Sequence, residues 1–359
     1  MNDTRAAAET SLELERLEKL PWFESGKPCR TDIFHERDFW QEQEAMWGRW
    51  GAQGIGPLRK VMLTPPSECE VRPVFAQQPA YYRMYQRRLP DLRIMQKQFD
   101  QFVATLKGEG IEVIILEAPA PQDALGPYGF QRIFTTPSEV LVTNAGAIIP
   151  RMACSGYLVG REKLWAQYLV SIGCPILFSI HGKGCGEIGA GAWLDDRHYI
   201  YAEGVTANQE GLRQLRWILE SIGVELYVGH SPGYVDLWDF PAGGVSHPDM
   251  MLGVVDLGLA IVYPAMLNWA TIGYLKRLKF RLIEVPPEEF VQYGCNILTL
   301  APGKVVIPAA AKQTIAALRR EGVECLDLDL SQSATGLGGP HCMTCQLLRD
   351  RGPSLEELS

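Results

Sequence analysis

Five stretches of this 359-residue chain repeat one local pattern: a helix-like segment, a tight stop, then a short β-branched run. They read ATLKGEGIEVIIL, YLVSIGCPILF, ILESIGVELYV, YLKRLKFRLIEV and ALRREGVECLDL. Four of the five carry Gly just past the helix, where a left-handed C-cap costs glycine least. Ahead of each lies a short apolar strand that ends in Pro or Gly: residues 60–66, 146–152, 198–204, 259–265 and 304–310. Alternating strands and helices also suit an open, doubly wound sheet. That fold would place a glycine-rich phosphate loop after its first strand. The one glycine-rich stretch, GKGCGEIGAG at 182–191, fits neither the Walker spacing nor G-x-G-x-x-G. Five like units therefore favour a ring with pseudo-fivefold symmetry.

Composition narrows the functional classes. With 47% hydrophobic and 21% charged residues, the chain reads as a soluble globular protein. A net charge of −8 argues against general binding to nucleic acid or anionic membranes. No apolar run reaches about 18 residues, so no membrane span is expected. The first twenty residues lack an apolar signal core and read as a polar helix. Nine dispersed cysteines, at 29, 69, 154, 174, 185, 295, 325, 342 and 345, suggest reduced thiols and a cytoplasmic location. Residues 1–50, polar and aromatic by turns, read as an extension packing on a core that begins at 51.

Two motifs carry chemistry. GGPHCMTC at 338–345 sets Cys342 after two glycines and a proline, a tight turn that can present a side chain at a site mouth. Cys342 reads as a nucleophile, as half of a Cys-x-x-Cys pair with Cys345, or as a buried thiol. A zinc site would need a second ligand pair, and none is evident. A nucleophilic thiol needs a base or cation to form thiolate. The adjacent His341 diverges from it in the simplest geometry, which turns attention to a distant histidine. His247 in PAGGVSHPDMM is followed two residues later by Asp249. In an extended segment both would face one way. Asp195 and Asp196 read as a solvated turn.

SHPDMMLGVVDLGLAIVYP, CNILTLAPGKVVIPA and GGPHCMTCQLLRDRG together resemble the arginine deiminase, dimethylarginine dimethylaminohydrolase and amidinotransferase superfamily. The likeness is best over 245–352 and weaker over 58–244. It implies an α/β fold, the pentein five-bladed ββαβ propeller, with 51–359 forming a single catalytic domain. It implies a cysteine-dependent enzyme without cofactor or metal that acts on a small guanidino substrate, as a hydrolase or as an amidinotransferase; a non-catalytic binding pentein is the third reading. It also leaves room for a homo-oligomer. By the same resemblance Cys342 attacks the guanidinium carbon, His247 moves the proton of the leaving amine, and Asp249 pairs with guanidinium nitrogens. It sets Phe134, Arg151, Gly339 and His341 beside the substrate. Two elements depart from the family. Ala190 stands where the superfamily has a catalytic Asp, with Glu187 three residues earlier as the candidate replacement. IFTTPSEV lacks the substrate-contacting Arg-Asp pair. Both departures point away from a plain arginine deiminase.

Overall fold

A computed structural model describes residues 14–20, 22–28, 39–66, 90–116, 137–151, 161–232, 247–335 and 338–358. Among these, fifteen strands form five sheets of three. In chain order they are β1 (Leu58–Leu63), β2 (Glu112–Ile115), β3 (Leu141–Thr143), β4 (Gly146–Ile149), β5 (Ile176–Ser179), β6 (Ala192–Asp195), β7 (His198–Glu203) and β8 (Glu225–His230). Then follow β9 (Leu252–Asp256), β10 (Leu259–Val262), β11 (Arg281–Glu284), β12 (Leu298–Ala301), β13 (Lys304–Pro308), β14 (Glu324–Leu328) and β15 (Thr344–Arg349). Five crossover helices join middle to outer strands: α1 (Leu92–Gly108), α2 (Arg161–Ser171), α3 (Gln209–Ser221), α4 (Trp269–Arg277) and α5 (Lys312–Arg320).

Each sheet repeats one plan. A middle strand pairs antiparallel with an inner strand and parallel with the outer strand that follows its helix. Thus β7 pairs antiparallel with β6 and parallel with β8, from His198 against Glu225 to Glu203 against His230. The strands expected at 60–66, 146–152, 198–204, 259–265 and 304–310 are the five middle strands. Three of their five inner partners, β3, β6 and β12, are only three or four residues long and carry no alternating signature. The ring closes through its ends: the inner strand of the first sheet is β15, which pairs antiparallel with β1. This is the α/β pentein propeller, five ββαβ units about a pseudo-fivefold axis.

The helix stops are alike in all five units. Gly110, Gly173, Gly223 and Gly322 take φ between 74° and 84°, and in the fourth unit Lys279 takes the same conformation at 63°. In each unit the next residue donates its N–H to a leucine carbonyl five residues back: Ile111 to Leu106, Cys174 to Leu169, Val224 to Leu219, Phe280 to Leu275 and Val323 to Leu318. All five leucines are fully buried. The bond closes the helix, and the leucine anchors it to the sheet. On α3, Leu212, Leu215, Ile218 and Leu219 share the face that packs on the sheet, each worth about 1.5–3 kcal/mol of burial.

Asp195 is not in a solvated turn. It is buried, accepts from the Arg197 and Leu355 N–H groups and bonds His198 Nδ1. The C-terminal segment covers it. Residues just after 49 pack inward: Trp50 lies in a cluster with Met62, Trp165 and Cys345, and Gly51 and Ala52 donate to Leu347 and Val142. Among the described residues no helix is long and apolar enough to cross a membrane.

Candidate active site

The inner strands line the axis, and each is entered by a loop or turn that ends in a buried polar side chain. Glu139 precedes β3, Glu187 precedes β6, Asp249 precedes β9, Asn296 precedes β12 and Cys342 precedes β15, each within five residues of its strand. All five are 5% exposed or less. Pseudo-symmetry therefore delivers one polar group per unit to the same end of the ring.

The segment around His247 is not extended. Pro248–Met250 forms a 3-10 turn, capped by His247 at φ −137° and ψ 156° and closed by the Met250 and Met251 N–H groups on the His247 and Pro248 carbonyls. Proline's fixed φ starts that turn. His247 and Asp249 nevertheless converge, with His247 Nδ1 3.9 Å from Asp249 Oδ1. On its other edge His247 Nε2 lies 2.5 Å from Glu187 Oε2. Burial alone would lower the His247 pKa. The charge and hydrogen bond of Glu187, with Asp249 and Glu139 behind, outweigh it and raise the pKa above the ordinary imidazole value. The flanking carboxylates favour the charged form of the imidazole.

Asp249 is the hub. Its Oδ2 accepts from Asn296 Nδ2 at 3.0 Å, bonds His341 Nδ1 at 2.9 Å and lies 3.7 Å from Cys342 Sγ. Its Oδ1 is buried and has no hydrogen-bond partner among the described residues. Burial, and then the Asp249 charge, push the Cys342 thiol well above the ordinary cysteine range. The Cys342 turn has few N–H groups to spare. His341 and Cys342 donate theirs to Asn296 Oδ1, Met343 to the Gly339 carbonyl and Thr344 to the His341 carbonyl. Asp249 is the acceptor against the thiol, and Gly339 and Asn296 are its donors. Beside the site lies a cavity of about 60 Å³ lined by inner-strand residues together with Asp249, His341 and Arg349.

The structure brings Cys342, His247, Asp249, Glu187 and His341 together. Gly339 lies against Asn296, where an added Cβ would sit 2.5 Å from the amide oxygen. Arg151 joins the site's wall through its backbone, exchanging two hydrogen bonds with Gly186. Phe134 lies outside the described residues, as do Asp236 and Asp239. Cys345 is buried in β15 away from the site, and Cys342 and Cys345 are both free thiols. Among the described residues no group of three or more His, Cys, Asp or Glu could hold a metal ion. Asn296 was missed in the sequence, where an Asn inside GCNIL carries no signal of its own.

The arginine deiminase family profile matches residues 263–349. A 2-nitroimidazole nitrohydrolase from Mycobacterium sp. (strain JS330) is 26% identical over 360 residues, spanning 96% of this chain and 94% of that protein. The C-terminal quarter of the chain is thus similar to the arginine deiminase family. An arginine deiminase from Mycobacterium marinum (strain ATCC BAA-535 / M) is 47% identical to this pentein over 60 residues, 17% of the chain and 15% of the relative. An amidinotransferase of saxitoxin biosynthesis from Microseira wollei superposes with a TM-score of 0.63 at 16% identity, over 85% of this chain and 98% of that one. The dimethylarginine dimethylaminohydrolase of Pseudomonas aeruginosa, solved with citrulline, superposes at 0.62 and 19% identity, over 80% and 98%. These two share the pentein fold.

Proposed function

We propose that this pentein is a cysteine-dependent hydrolase that attacks the carbon of a guanidino compound, with Cys342 as nucleophile and His247 as the proton-transfer residue. One observation carries the reading: the thiol lies against the Asp249 carboxylate, and the N–H groups of His341, Cys342, Met343 and Thr344 are spent, which leaves Gly339 and Asn296 as its donors. An acyl substrate develops an oxyanion and needs donors at the nucleophile. An amidinium group presents N–H donors and positive charge, which Asp249 Oδ1 is free to accept.

In the first step the thiol proton passes to Asp249, and Sγ bonds to the guanidinium carbon. Collapse of the tetrahedral adduct breaks one C–N bond, and the His247 imidazolium gives its proton to the departing amine. Water then attacks the S-bound carbon and neutral His247 takes a proton from it; the C–S bond breaks as the remaining hydroxyl proton of the adduct goes to solvent. The thiolate recovers its proton from Asp249, leaving a ureido product. The substrate's charge offsets the burial that otherwise keeps Cys342 a thiol.

A second reading rests on the full-length likeness to the nitrohydrolase. Carbon 2 of 2-nitroimidazole, like a guanidinium carbon, is bonded to three nitrogens, and nitrite leaves as an anion. Ala190 and the missing Arg-Asp pair deprive a cation of contacts, which suits such a neutral ring. Transfer to an amine instead of water is the remaining alternative.

The test is incubation with guanidino compounds and with 2-nitroimidazole, each with and without an added amine, read by mass spectrometry. Ureido product in water supports the proposal, nitrite release supports the second reading, and product only with amine supports transfer. Cys342→Ser is expected to lower turnover at least about a thousandfold, since a hydroxyl ionises far less readily than a thiol. Turnover within tenfold of the parent rules the cysteine mechanism out. Chloroacetamidine, a cation, is expected to label Cys342 at neutral pH faster than the isosteric neutral chloroacetamide.

A further inference from the structure

Asn296 is fully buried, and its amide makes four hydrogen bonds. Oδ1 accepts from the N–H groups of His341 at 3.1 Å and Cys342 at 3.2 Å, and Nδ2 donates to Asp249 Oδ2 at 3.0 Å and to the Asp249 carbonyl at 3.3 Å. One side chain thus ties the nucleophile turn ahead of β15 to the acidic turn ahead of β9. Gly339 is part of the same fitting, because any side chain there would strike the Asn296 amide.

We infer that Asn296 is a positioning residue: it holds the Cys342 turn and the Asp249 carboxylate in one fixed relation, with Gly339 supplying the clearance. The inference rests on Cys342 being the nucleophile. The amide is suited to the place because it offers an acceptor to two backbone donors on one side and a donor to a carboxylate on the other. An acid there would turn acceptor against acceptor. A shorter chain would leave two buried N–H groups unpaired. The bond to Asp249 directs the carboxylate so that Oδ2 meets Cys342 and His341 while Oδ1 is left for substrate. The Asn296 side chain is also a hydrogen-bond partner of the Cys342 thiol and favours its thiolate form.

Asn296→Asp nearly preserves shape and reverses the polarity toward Asp249. The charged groups facing that point are Asp249 itself, His341 and Cys342 from the nucleophile turn, His247 and Glu187 across the site with Glu139 behind them, and the Tyr199 and Tyr201 hydroxyls of β7. A second carboxylate here disfavours any further negative charge, the thiolate included.

The test is alkylation of Cys342 by iodoacetamide, followed by mass spectrometry from pH 6 to 10, which needs no knowledge of the substrate. Asn296→Asp is expected to move the rising limb at least about one pH unit to the alkaline side, alkylation about tenfold slower at a given pH. Gly339→Ala, which presses on the same amide from outside, is expected to slow alkylation as well. If Asn296 merely packs, loosening the turn exposes Cys342 and speeds alkylation. A limb unmoved or moved to the acid side in a folded variant overturns the inference. Should Asn296→Asp lose its unfolding transition, Gly339→Ala decides. Failure of the parent reading is separate: it shows as turnover retained in Cys342→Ser.

Discussion

His247 is held between two carboxylates, Glu187 at 2.5 Å and Asp249 at 3.9 Å, and its pKa is raised as a result. The folded chain therefore keeps a proton that the unfolded chain releases near the ordinary imidazole value of 6.5. This contribution to stability is fully present below that pH and is lost as pH rises through the folded-state value. Thermal midpoints measured across that window are expected to fall more steeply for the parent than for His247→Gln; parallel curves would contradict the pairing. Glu187→Gln removes the charge that counters burial. It is expected to move the alkaline limb of turnover at least about one unit toward acid. An unmoved limb would mean that Glu187 only shapes its loop. Glu187 reads in the sequence as a stand-in for the acid missing at Ala190. The structure puts its carboxylate on His247, a partnership sixty residues apart in the chain.

At the scale of the element, the helix stops separate local preference from context. Gly223 has φ 78° and open space around the position of a Cβ, so Gly223→Ala meets only backbone strain, about 1 kcal/mol. Lys279 adopts the same conformation at φ 63° and already bears that strain. Lys279→Gly is expected to raise stability by about 0.5–1 kcal/mol, less whatever its bond to the Leu358 carbonyl contributes. Chemical denaturation of the two variants checks both signs. The five units were legible because these stops and the middle strands are written in local sequence. Inner strands such as LVT at β3 and LTLA at β12 were not, because three or four residues show no period of their own.

On the scale of the whole molecule, closure of the ring is the critical contact. β15 supplies the inner strand for β1 and runs directly out of the Cys342 turn. Arg349, at the end of β15, is buried and donates to the Gly56 and Thr299 carbonyls and to Gln346. It ties the closing strand to β12 and to the segment before β1. Arg349→Met keeps the bulk but strands two buried carbonyls, and is expected to cost about 3 kcal/mol in denaturant unfolding. A cost below about 0.5 kcal/mol would mean that water reaches those carbonyls and the axis is open at that end.

The sequence by itself determined the unit and its number, since glycine stops, β-branched runs and apolar helix faces are set by neighbours a few residues away. It also marked Cys342, His247 and Asp249 as residues with chemistry, through spacing and family likeness. Only the tertiary structure decided what those residues are to one another. The 3-10 turn at Pro248 replaced the extended segment expected there, Asp195 went under the C-terminal segment, and Asn296 emerged as the link between two turns. The burial of Asp195 and the Asn296 link depend on contacts between distant segments that local sequence does not encode. A propeller brings the entrances of its inner strands to one end of its axis, and only the closed ring sets Glu139, Glu187, Asp249, Asn296 and Cys342 side by side.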